Sequence, residues 1–553
     1  MFPPMSSSLH NTSAHQQIIT ISLGSLCNDI IHYIYCTEQK NINLVQPNVL
    51  FHMSADKQLI PRLVAINLQS SEDTPNNTVN HHHNDIQSIA NEFSTLYNNR
   101  QIVHTSSATS TQHSTKNHQL DAININYNQH NYYTLPLNCI DNITTIHEFN
   151  YVTQGLINNN SSLTAYIDGI IDGIRYWAES CDTLTGFHIF IDIDSGYSGI
   201  AIELIQQLCH EFGHHIPLVV FGITCKLDNN HIDYQKHLIR RLINRCITMS
   251  YLHEYCSLYI PLDTDTIDFK SLHVSNTMSI YDQTVHTLAN IIYNITLPYR
   301  LITNFCTLNA YIQHLIPFNQ LNIIGINTII PITDQHTLLT QRQTRSQQTD
   351  TRTTTLHNNT LFTALWKSTN NMVQHISPFQ QRIVQGESRR ISKRNARLLD
   401  ESDSDNDSDD DNNNTNTSND MLLSELIVCR GLTNEQQMNL TINYDTLAPS
   451  GHRIYSYIEH GTQSLSNIQS HDTIPAIYCT YNVQSIGEWL HMNANALNSI
   501  LGSNTAHNLH GTDTVDVRQV IQQFIKDGMI RDDLIEIASN IQSFADRYID
   551  LVG

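Results

Sequence analysis

The chain has 553 residues and a formal net charge of −22, since 51 Asp and Glu stand against 29 Lys and Arg. This length implies several domains with buried cores, and the acidic balance argues against nucleic acid as a main partner, because neutralising phosphates requires clustered Lys and Arg. The 11 Cys are scattered without a C-x-x-C pair, which favours buried thiols in a reducing compartment over a disulfide framework. No apolar run reaches the ~18 residues of a spanning helix, and the polar start (1–16), expected to be disordered, has no signal or transit pattern.

Strands and helices alternate through the first half of the chain. The β-rich run Ile18–Leu23 ends at Gly24, and the apolar content of Ile30–Tyr35 predicts a helix after that turn. A second buried strand is predicted over Leu63–Leu68, just after Pro61. Strands that alternate with helices predict a parallel α/β sheet. The same alternation predicts further helices over 163–181, 200–212 and 237–247 and further strands over 187–193, 218–223 and 258–260.

The second half begins with a longer helical run, Met278–Leu297, which stops at Pro298. A strand is predicted over Ile323–Ile330. The apolar positions of Val517–Phe524 and Asp532–Tyr548 are spaced three and four apart, which predicts amphipathic helices docked on their own core.

Two segments have compositions that do not build a core. Residues 72–140 are rich in Asn, His, Ser and Thr, and they are interpreted as insertions around short elements, with His81–His83 as biased composition. Residues 382–420 are first basic and then acidic, with eight acids and no base in Asp400–Asp411, and we expect them to be disordered. Four serines there lie in contexts typical of phosphorylation, although a solvated linker is the simpler interpretation: Ser392, Ser402, Ser404 and Ser408.

An H-E-x-x-H motif stands at the end of a predicted helix, with His210, Glu211 and His214. Histidines one turn apart can both bind zinc, and the intervening Glu can act as general base on the metal-bound water. Catalytic zinc usually has three protein ligands, and Pro217 stands in place of the glycine of the longer zinc motif. We therefore favour solvated histidines and keep a zinc hydrolase as the weaker alternative.

Two turns that follow strands have the composition of phosphate-binding loops. Gly24 and Ser25 end the first strand, and residues 195–199 (S-G-Y-S-G) follow the strand 187–193 and open a helix. At the carboxyl ends of parallel strands, backbone N–H groups and a helix N-terminus can hold phosphate. From these residues alone, an ordinary tight turn is the simpler interpretation.

Several segments resemble tubulin. Ala178–Phe187 (A-E-S-C-D-T-L-T-G-F) is similar to the tubulin segment A-E-S-C-D-C-L-Q-G-F, which leads into the strand before the glycine-rich phosphate loop. Ile18–Gly24 with Asn28 resembles the first strand and loop of tubulin, and Pro61–Val64 resembles the strand that follows. Tyr281–Arg300 resembles the central helix, which in tubulin stacks on the guanine.

The closer resemblance is to the Misato family of tubulin-related proteins, relatives of a fungal mitochondrial-inheritance protein. The loop of that family is similar to D-G-F-S-G, which Ser195–Gly199 approximates. The resemblance implies a tubulin/FtsZ-like α/β fold with a parallel Rossmann-like sheet, a long central helix, a second α/β domain and C-terminal helices. Further similar segments recur in order along the chain: 281–301, 329–331, 428–431 and 524–548.

The same comparison shows departures from a working tubulin. Residues 194–197 stand in the loop that reads G-G-G-T-G-S-G in tubulin, so side chains intrude and Asp194 adds negative charge where phosphate should bind. Asn67 replaces an acidic residue that helps to hold the metal, and Val285 replaces the Asn that reads the base. Residues 301–304 lack the carboxylate of the tubulin L-N-x-D loop, which activates water.

These departures favour a non-enzymatic protein without a cofactor, with weak GTP or GDP binding left open. The family implies a role in mitochondrial distribution, morphology and inheritance, with links to cell division and microtubule organisation. It also implies a place in the cytoplasm and at the outer mitochondrial membrane, with partners at that surface, in the cytoskeleton or in the cytosolic chaperonin. A GTP-binding switch or weak GTPase on the same fold is the alternative. The residues carried over as a degenerate nucleotide-binding set are Gly24, Ser25, Asn28, Ser195, Gly196, Ser198, Gly199 and Tyr281.

The resemblance and the compositional breaks together predict a domain organisation. A tubulin-like domain is expected over 17–277, and the central helix is expected over 278–300. A second domain is expected over 301–381 and 421–510, interrupted by the insert 382–420 and followed by C-terminal helices over 511–553.

Overall fold

The computed structural model describes residues 16–68, 125–140, 143, 145, 148–156, 161–224, 233–267, 279–302, 306–316, 318, 321–329, 373–379, 422–430, 454–458, 476–502 and 513–550. It divides into two compact units, unit 1 with residues 1–314 and 493–541 and unit 2 with residues 315–492 and 542–553. These limits differ from the predicted ones at 301 and 511, because residues 306–314 and most of the C-terminal helices pack within unit 1. His81–His83, the insert 382–420 and the four serines lie outside the described residues.

In the described residues, unit 1 is built on a six-stranded sheet in which each neighbouring pair of strands is parallel. The strand order is β5-β4-β1-β6-β7-β8, which confirms the predicted parallel α/β sheet. The elements up to residue 315 are β1 (Gln17–Leu23), α1 (Ser25–Lys40), α2 (Pro47–Leu50), β2 (Phe51–Met53), β3 (Leu59–Pro61), β4 (Leu63–Leu68), β5 (Tyr132–Leu135), α3 (Ser161–Glu179), β6 (Leu184–Asp192), α4 (Tyr197–Phe212), β7 (Leu218–Ile223), α5 (Tyr234–Tyr255), β8 (Leu258–Leu262), α6 (Ile280–Ile295) and α7 (Leu308–Leu315).

Most residues in the strands of this sheet are buried. Every residue of β1, β7 and β8 is buried, as expected for a parallel sheet with helices over both faces. Helix α1 packs on β1, β4 and β6 and on α6, while α3 and α4 pack on β1 and on each other. The core of unit 1 therefore lies on the sheet, and the loops at its carboxyl edge are left to form a site.

The predicted elements of unit 1 are confirmed with shifted ends. Helix α5 runs from Tyr234 to Tyr255, longer at both ends than its predicted core of 237–247. Strand β5 was not predicted, since it lies in the Asn- and His-rich stretch. It forms because the buried amide of Asn131 donates to Pro61 O at 2.8 Å and to Leu63 O at 2.7 Å, which holds the segment against the sheet edge.

Unit 2 contains a second sheet, with the order β10-β9-β13-β11-β12 in the described residues. Its neighbouring strands are antiparallel except β11 and β12, which are parallel. The predicted amphipathic C-terminal helices are confirmed. No helix of the described part of the chain is long and apolar enough to cross a membrane. The elements after residue 315, of which α9 and parts of α8 and α10 belong to unit 1, are β9 (Gly325–Ile329), β10 (Val373–His375), β11 (Leu422–Arg430), β12 (Ile454–Ile458), β13 (Ala476–Val483), α8 (Ser485–Gly502), α9 (Asp513–Lys526) and α10 (Arg531–Asp550).

Candidate functional site

The loops that follow β1, β4 and β6 meet at the carboxyl edge of the sheet in unit 1. Gly24, directly after β1, has φ +102°, a conformation that favours glycine. A Cβ at Gly24 would lie 3.2 Å from Cβ of Asp192 and 3.2 Å from the ring of Tyr197. The N–H of Gly24 donates to Ile66 O at 3.1 Å. The structure thus brings together the two turns that the sequence singled out.

The side chain of Tyr197 lies across these loops. Its hydroxyl donates to Oδ1 of Asn67 at 2.6 Å and accepts from the N–H of Leu68 at 2.9 Å. Its ring meets Phe149 edge-on at a centroid distance of 5.2 Å, and only 6% of the residue is exposed. The expectation that a side chain intrudes into the loop is therefore correct for Tyr197.

A phosphate loop must offer free backbone N–H groups at the start of its helix. Here those groups already have acceptors within the chain. The hydrogen bonds are Gly196 N to Phe149 O at 3.2 Å, Tyr197 N to Ser195 Oγ at 3.4 Å, Ser198 N to Ser195 O at 3.2 Å, Gly199 N to Gly196 O at 3.0 Å and Ile200 N to Gly196 O at 3.4 Å.

The glycines of the loop are explained by packing against residues 149–155, named here the covering segment. A Cβ at Gly196 would lie 2.3 Å from the ring of Phe149, and a Cβ at Gly199 would lie 2.0 Å from Val152 O. On the other side of the contact, a Cβ at Gly155 would lie 2.0 Å from Gly196 O. The S-G-x-S-G spacing is thus required by a close contact between two backbones, which is sufficient reason for both glycines.

The expectation for Asp194 is corrected by the structure. Its carboxylate does not lie as an uncompensated charge in the loop, because Oδ1 is 2.9 Å from Nε of Arg245 and Oδ2 is 3.2 Å from Nε of Arg241. Its main-chain O accepts from Nδ2 of Asn244 at 3.0 Å. All three partners lie on one face of α5, spaced three and four apart. Sequence reasoning missed them, although R-R-L-I-N-R carries that spacing.

A second carboxyl group lies beside Asp194. Asp192, the last residue of β6, accepts the N–H of Asp194 on its Oδ1 at 3.1 Å. Burial, together with the neighbouring charge of Asp194, raises the pKa of Asp192 to about 6. Close to neutral pH, this part of the edge therefore gains negative charge as the pH rises.

The remaining predicted residues lie on α1 and at the start of α6. Ser25 Oγ donates to Oδ1 of Asn67 at 3.3 Å and is exposed, whereas Asn28 is buried and donates to Ile66 O at 3.2 Å. Tyr281 is 42% exposed, and its hydroxyl donates to Oδ2 of Asp29 at 2.6 Å. Ser25 and Asn28 therefore join the loop after β4, while Tyr281 is held to α1.

The geometry does not favour the zinc alternative. Helix α4 ends at Phe212, and Gly213 has φ +78°, so His214 lies beyond the helix and does not share a face with His210. The carboxylate of Glu211 is bound by Arg175 at 2.5 and 2.8 Å. In the part of the chain that the structure describes, no group of three or more His, Cys, Asp or Glu is placed to hold a metal ion.

The sheet of unit 1 has six parallel strands in the order given above, a Ser- and Gly-containing turn after β6 and a long helix after β8. This is the architecture of the tubulin-like proteins. The family model described as Tubulin domain matches residues 143–301. Protein misato homolog 1 of Mus musculus is 25% identical over 175 residues, which are 30% of this chain and 30% of that protein.

Two shorter matches agree with it. Protein dml1 of Schizosaccharomyces pombe is 32% identical over 94 residues, 17% of this chain and 20% of that protein. Protein misato of Drosophila melanogaster is 32% identical over 96 residues, 17% of this chain and 16% of that protein. The chain is similar to the Misato proteins over these stretches. The matched stretches span less than a third of the curated relatives' length.

Proposed function

We propose that this chain is a non-enzymatic, tubulin-like protein that acts in mitochondrial distribution, morphology and inheritance. The cellular role is supported by the similarity to the Misato and dml1 proteins and by the resemblance along the chain. We propose further that it acts from the cytoplasm at the outer mitochondrial surface through protein contacts, with partners there, in the cytoskeleton or in the cytosolic chaperonin.

The covered loop supports the non-enzymatic part of this proposal. The guanine nucleotide that the tubulin fold implies does not fit the residues present, because Tyr197 fills the space between the loops and the N–H groups of 196–200 are already bonded. Asn67 offers a neutral amide where a metal-bound triphosphate calls for a carboxylate. Its Oδ1 is moreover occupied by the hydroxyl groups of Tyr197 and Ser25.

Nucleotide content tests the biochemical half of the proposal. The purified full chain is denatured, and the released guanine nucleotide is measured by chromatography, with tubulin treated in the same way as positive control. We expect tubulin to release nucleotide and this chain to release none. One GTP or GDP per chain would contradict the proposal and favour a GTP-binding switch or weak GTPase on the same fold.

Depletion in cells tests the cellular half. We expect fragmented or misplaced mitochondria after depletion, and rescue by the wild-type chain. Ser25→Ala is the informative variant, because the exposed hydroxyl of Ser25 bonds only weakly to Asn67 at 3.3 Å while a nucleotide-dependent protein would need it. Full rescue by Ser25→Ala is expected. Normal networks after depletion would contradict the role, and failed rescue by a folded Ser25→Ala protein would favour the GTP alternative.

A further inference from the structure

We infer that Asp194 is a built-in anionic ligand: its carboxylate fills an oxyanion pocket formed by Arg241 and Arg245, and phosphate binds there when the carboxylate is removed. The inference rests on the proposed nucleotide independence of the loop and deepens it. The Asp194 carboxylate is the group of the chain itself that binds these two arginines of α5, beside the loop that precedes α4.

The pocket has the geometry of oxyanion recognition. Arg245 donates two hydrogen bonds to the carboxylate, from Nε to Oδ1 at 2.9 Å and from Nη2 to Oδ2 at 3.3 Å. Arg241 approaches Oδ2 from the other side at 3.2 Å. A planar guanidinium that offers two parallel N–H groups binds carboxylate and phosphate in the same way. The arrangement therefore recognises an oxyanion rather than a carboxylate in particular.

The pocket is largely buried, and some of its N–H donors have no hydrogen-bond acceptor. The side chain of Asp194 is 6% exposed and that of Arg241 is 7% exposed. Nε and Nη1 of Arg241 and Nε of Arg240 are buried without a hydrogen-bond acceptor, although Arg241 lies within ion-pair distance of Asp194. The two oxygens of the Asp194 carboxylate leave Nη1 of Arg241 without an acceptor at hydrogen-bond distance. A phosphate ion has four oxygens and can accept from more of these N–H groups.

The position of the pocket connects it to the loop. Asp194 lies three residues before the first residue of α4, and Asn244, next to Arg245 on α5, binds both the Asp194 carbonyl and the covering segment. Nδ2 of Asn244 donates to Asn150 O at 2.8 Å, and its Oδ1 accepts the N–H of Val152 at 3.0 Å. The internal carboxylate thus holds the loop and the covering segment in one arrangement that needs no nucleotide.

Chemical rescue of Asp194→Ala tests the inference. The unfolding midpoint of the full-length variant is measured in sodium phosphate and in sodium chloride of equal ionic strength. We expect the midpoint to fall by several degrees in chloride, because the buried Arg241 and the partly exposed Arg245 lose the carboxylate that they share, and to recover most of that loss in phosphate. Titration calorimetry should show that the variant binds phosphate at least about tenfold tighter than the wild type, whose pocket is already filled.

Three matched variants keep the test decisive. The unfolding midpoint of Asp194→Ala/Arg245→Ala should not rise in phosphate, since the guanidinium group that would bind the anion is absent. Asp265→Ala removes a different acid near Arg241, at 3.6 Å, and should show no preference for phosphate over chloride. Asp194→Ser, which also removes the carboxylate and leaves space between the two arginines, replaces Asp194→Ala in every measurement if the alanine protein does not fold.

Equal midpoints of Asp194→Ala in both salts, or equal rescue of the double variant, would overturn the inference. Both results leave the nucleotide content of the wild type untouched. A failure of this inference is therefore distinguishable from a failure of the proposed function.

Discussion

The ion pair between Glu38 of α1 and Arg300, which follows α6, allows a demanding test of the packing in unit 1. Glu38 is 1% exposed and Arg300 is 0% exposed, and the two side chains form a direct ion pair. Nη2 of Arg300 also donates to Tyr293 O at 2.6 Å, and the guanidinium lies 4.6 Å from the centre of the Tyr293 ring. The proposed perturbation is Arg300→Met, which keeps an unbranched side chain of similar length.

The expected cost follows from leaving a carboxylate buried without its partner. Removing one member of a buried ion pair costs about 3–5 kcal/mol, more than the pair itself contributes, because the remaining charge is uncompensated. A domain of this kind is stable by about 5–15 kcal/mol in total. Arg300→Met should therefore lower the free energy of unfolding of unit 1 by a large fraction. The double variant Glu38→Leu/Arg300→Met should recover most of that loss, because no charge is left buried.

The pH dependence is the sharper part of this prediction. Burial raises the pKa of Glu38, and the charge of Arg300 opposes that rise. Without Arg300 the folded-state pKa of Glu38 rises further above its unfolded value, so the folded variant takes up a proton as the pH falls. Its stability deficit should be largest at about pH 8 and should shrink towards about pH 5, since the neutral carboxyl group is cheaper to bury.

Urea unfolding, followed by circular dichroism at both pH values, measures the deficit. The matched control is Arg175→Met, which breaks the ion pair with Glu211. In that pair the side chain of Arg175 is 49% exposed and that of Glu211 is 26% exposed. That control should change stability little, because solvent screens the pair. A deficit for Arg300→Met no larger than that of the control, or one independent of pH, would refute the reasoning.

Three further changes probe the carboxyl edge of the sheet. Tyr197→Phe should lower stability by about 1–2 kcal/mol, because Asn67 loses a buried donor, with nucleotide content unchanged; a gain of bound nucleotide would contradict the packing role. Gly199→Ala should lower stability by at least about 1–3 kcal/mol, because the added methyl group overpacks the contact with Val152 O. Gly169→Ala, whose Cβ would have nothing within 4 Å, should raise stability by about 0.5–1 kcal/mol. Equal thermal unfolding midpoints for the two variants would argue against the backbone contact at Gly199. Asp192 has its pKa raised to about 6, so the wild type loses stability as pH rises from about 4 to about 6, and Asp192→Asn should avoid up to about 3 kcal/mol of that loss; parallel stability curves for the two proteins would exclude a titrating Asp192.

The parts of the fold that depend on local pattern could be predicted. The strand Ile18–Leu23 and the helix after it were confirmed, because continuous apolar runs between turns reflect burial in a parallel sheet. Strand β5 could not be predicted, because it depends on two long-range hydrogen bonds from Asn131. The H-E-x-x-H motif left a zinc alternative open, because the sequence does not show where a helix ends and only the structure shows that φ at Gly213 takes His214 off the helix.

By itself, the sequence indicated the resemblance to the Misato family, the α/β class and the positions of the two loops at the sheet edge. Each of these depends on residues that are neighbours in the chain. Only the tertiary structure decided what those loops do, because the deciding partners are distant in sequence. Asp194 is neutralised from α5, about 50 residues further on, and the glycines of the loop face the covering segment, about 45 residues before them. A charged residue in a loop cannot be assigned a role until the residue that faces it is known, and that residue is set by how the helices pack on the sheet.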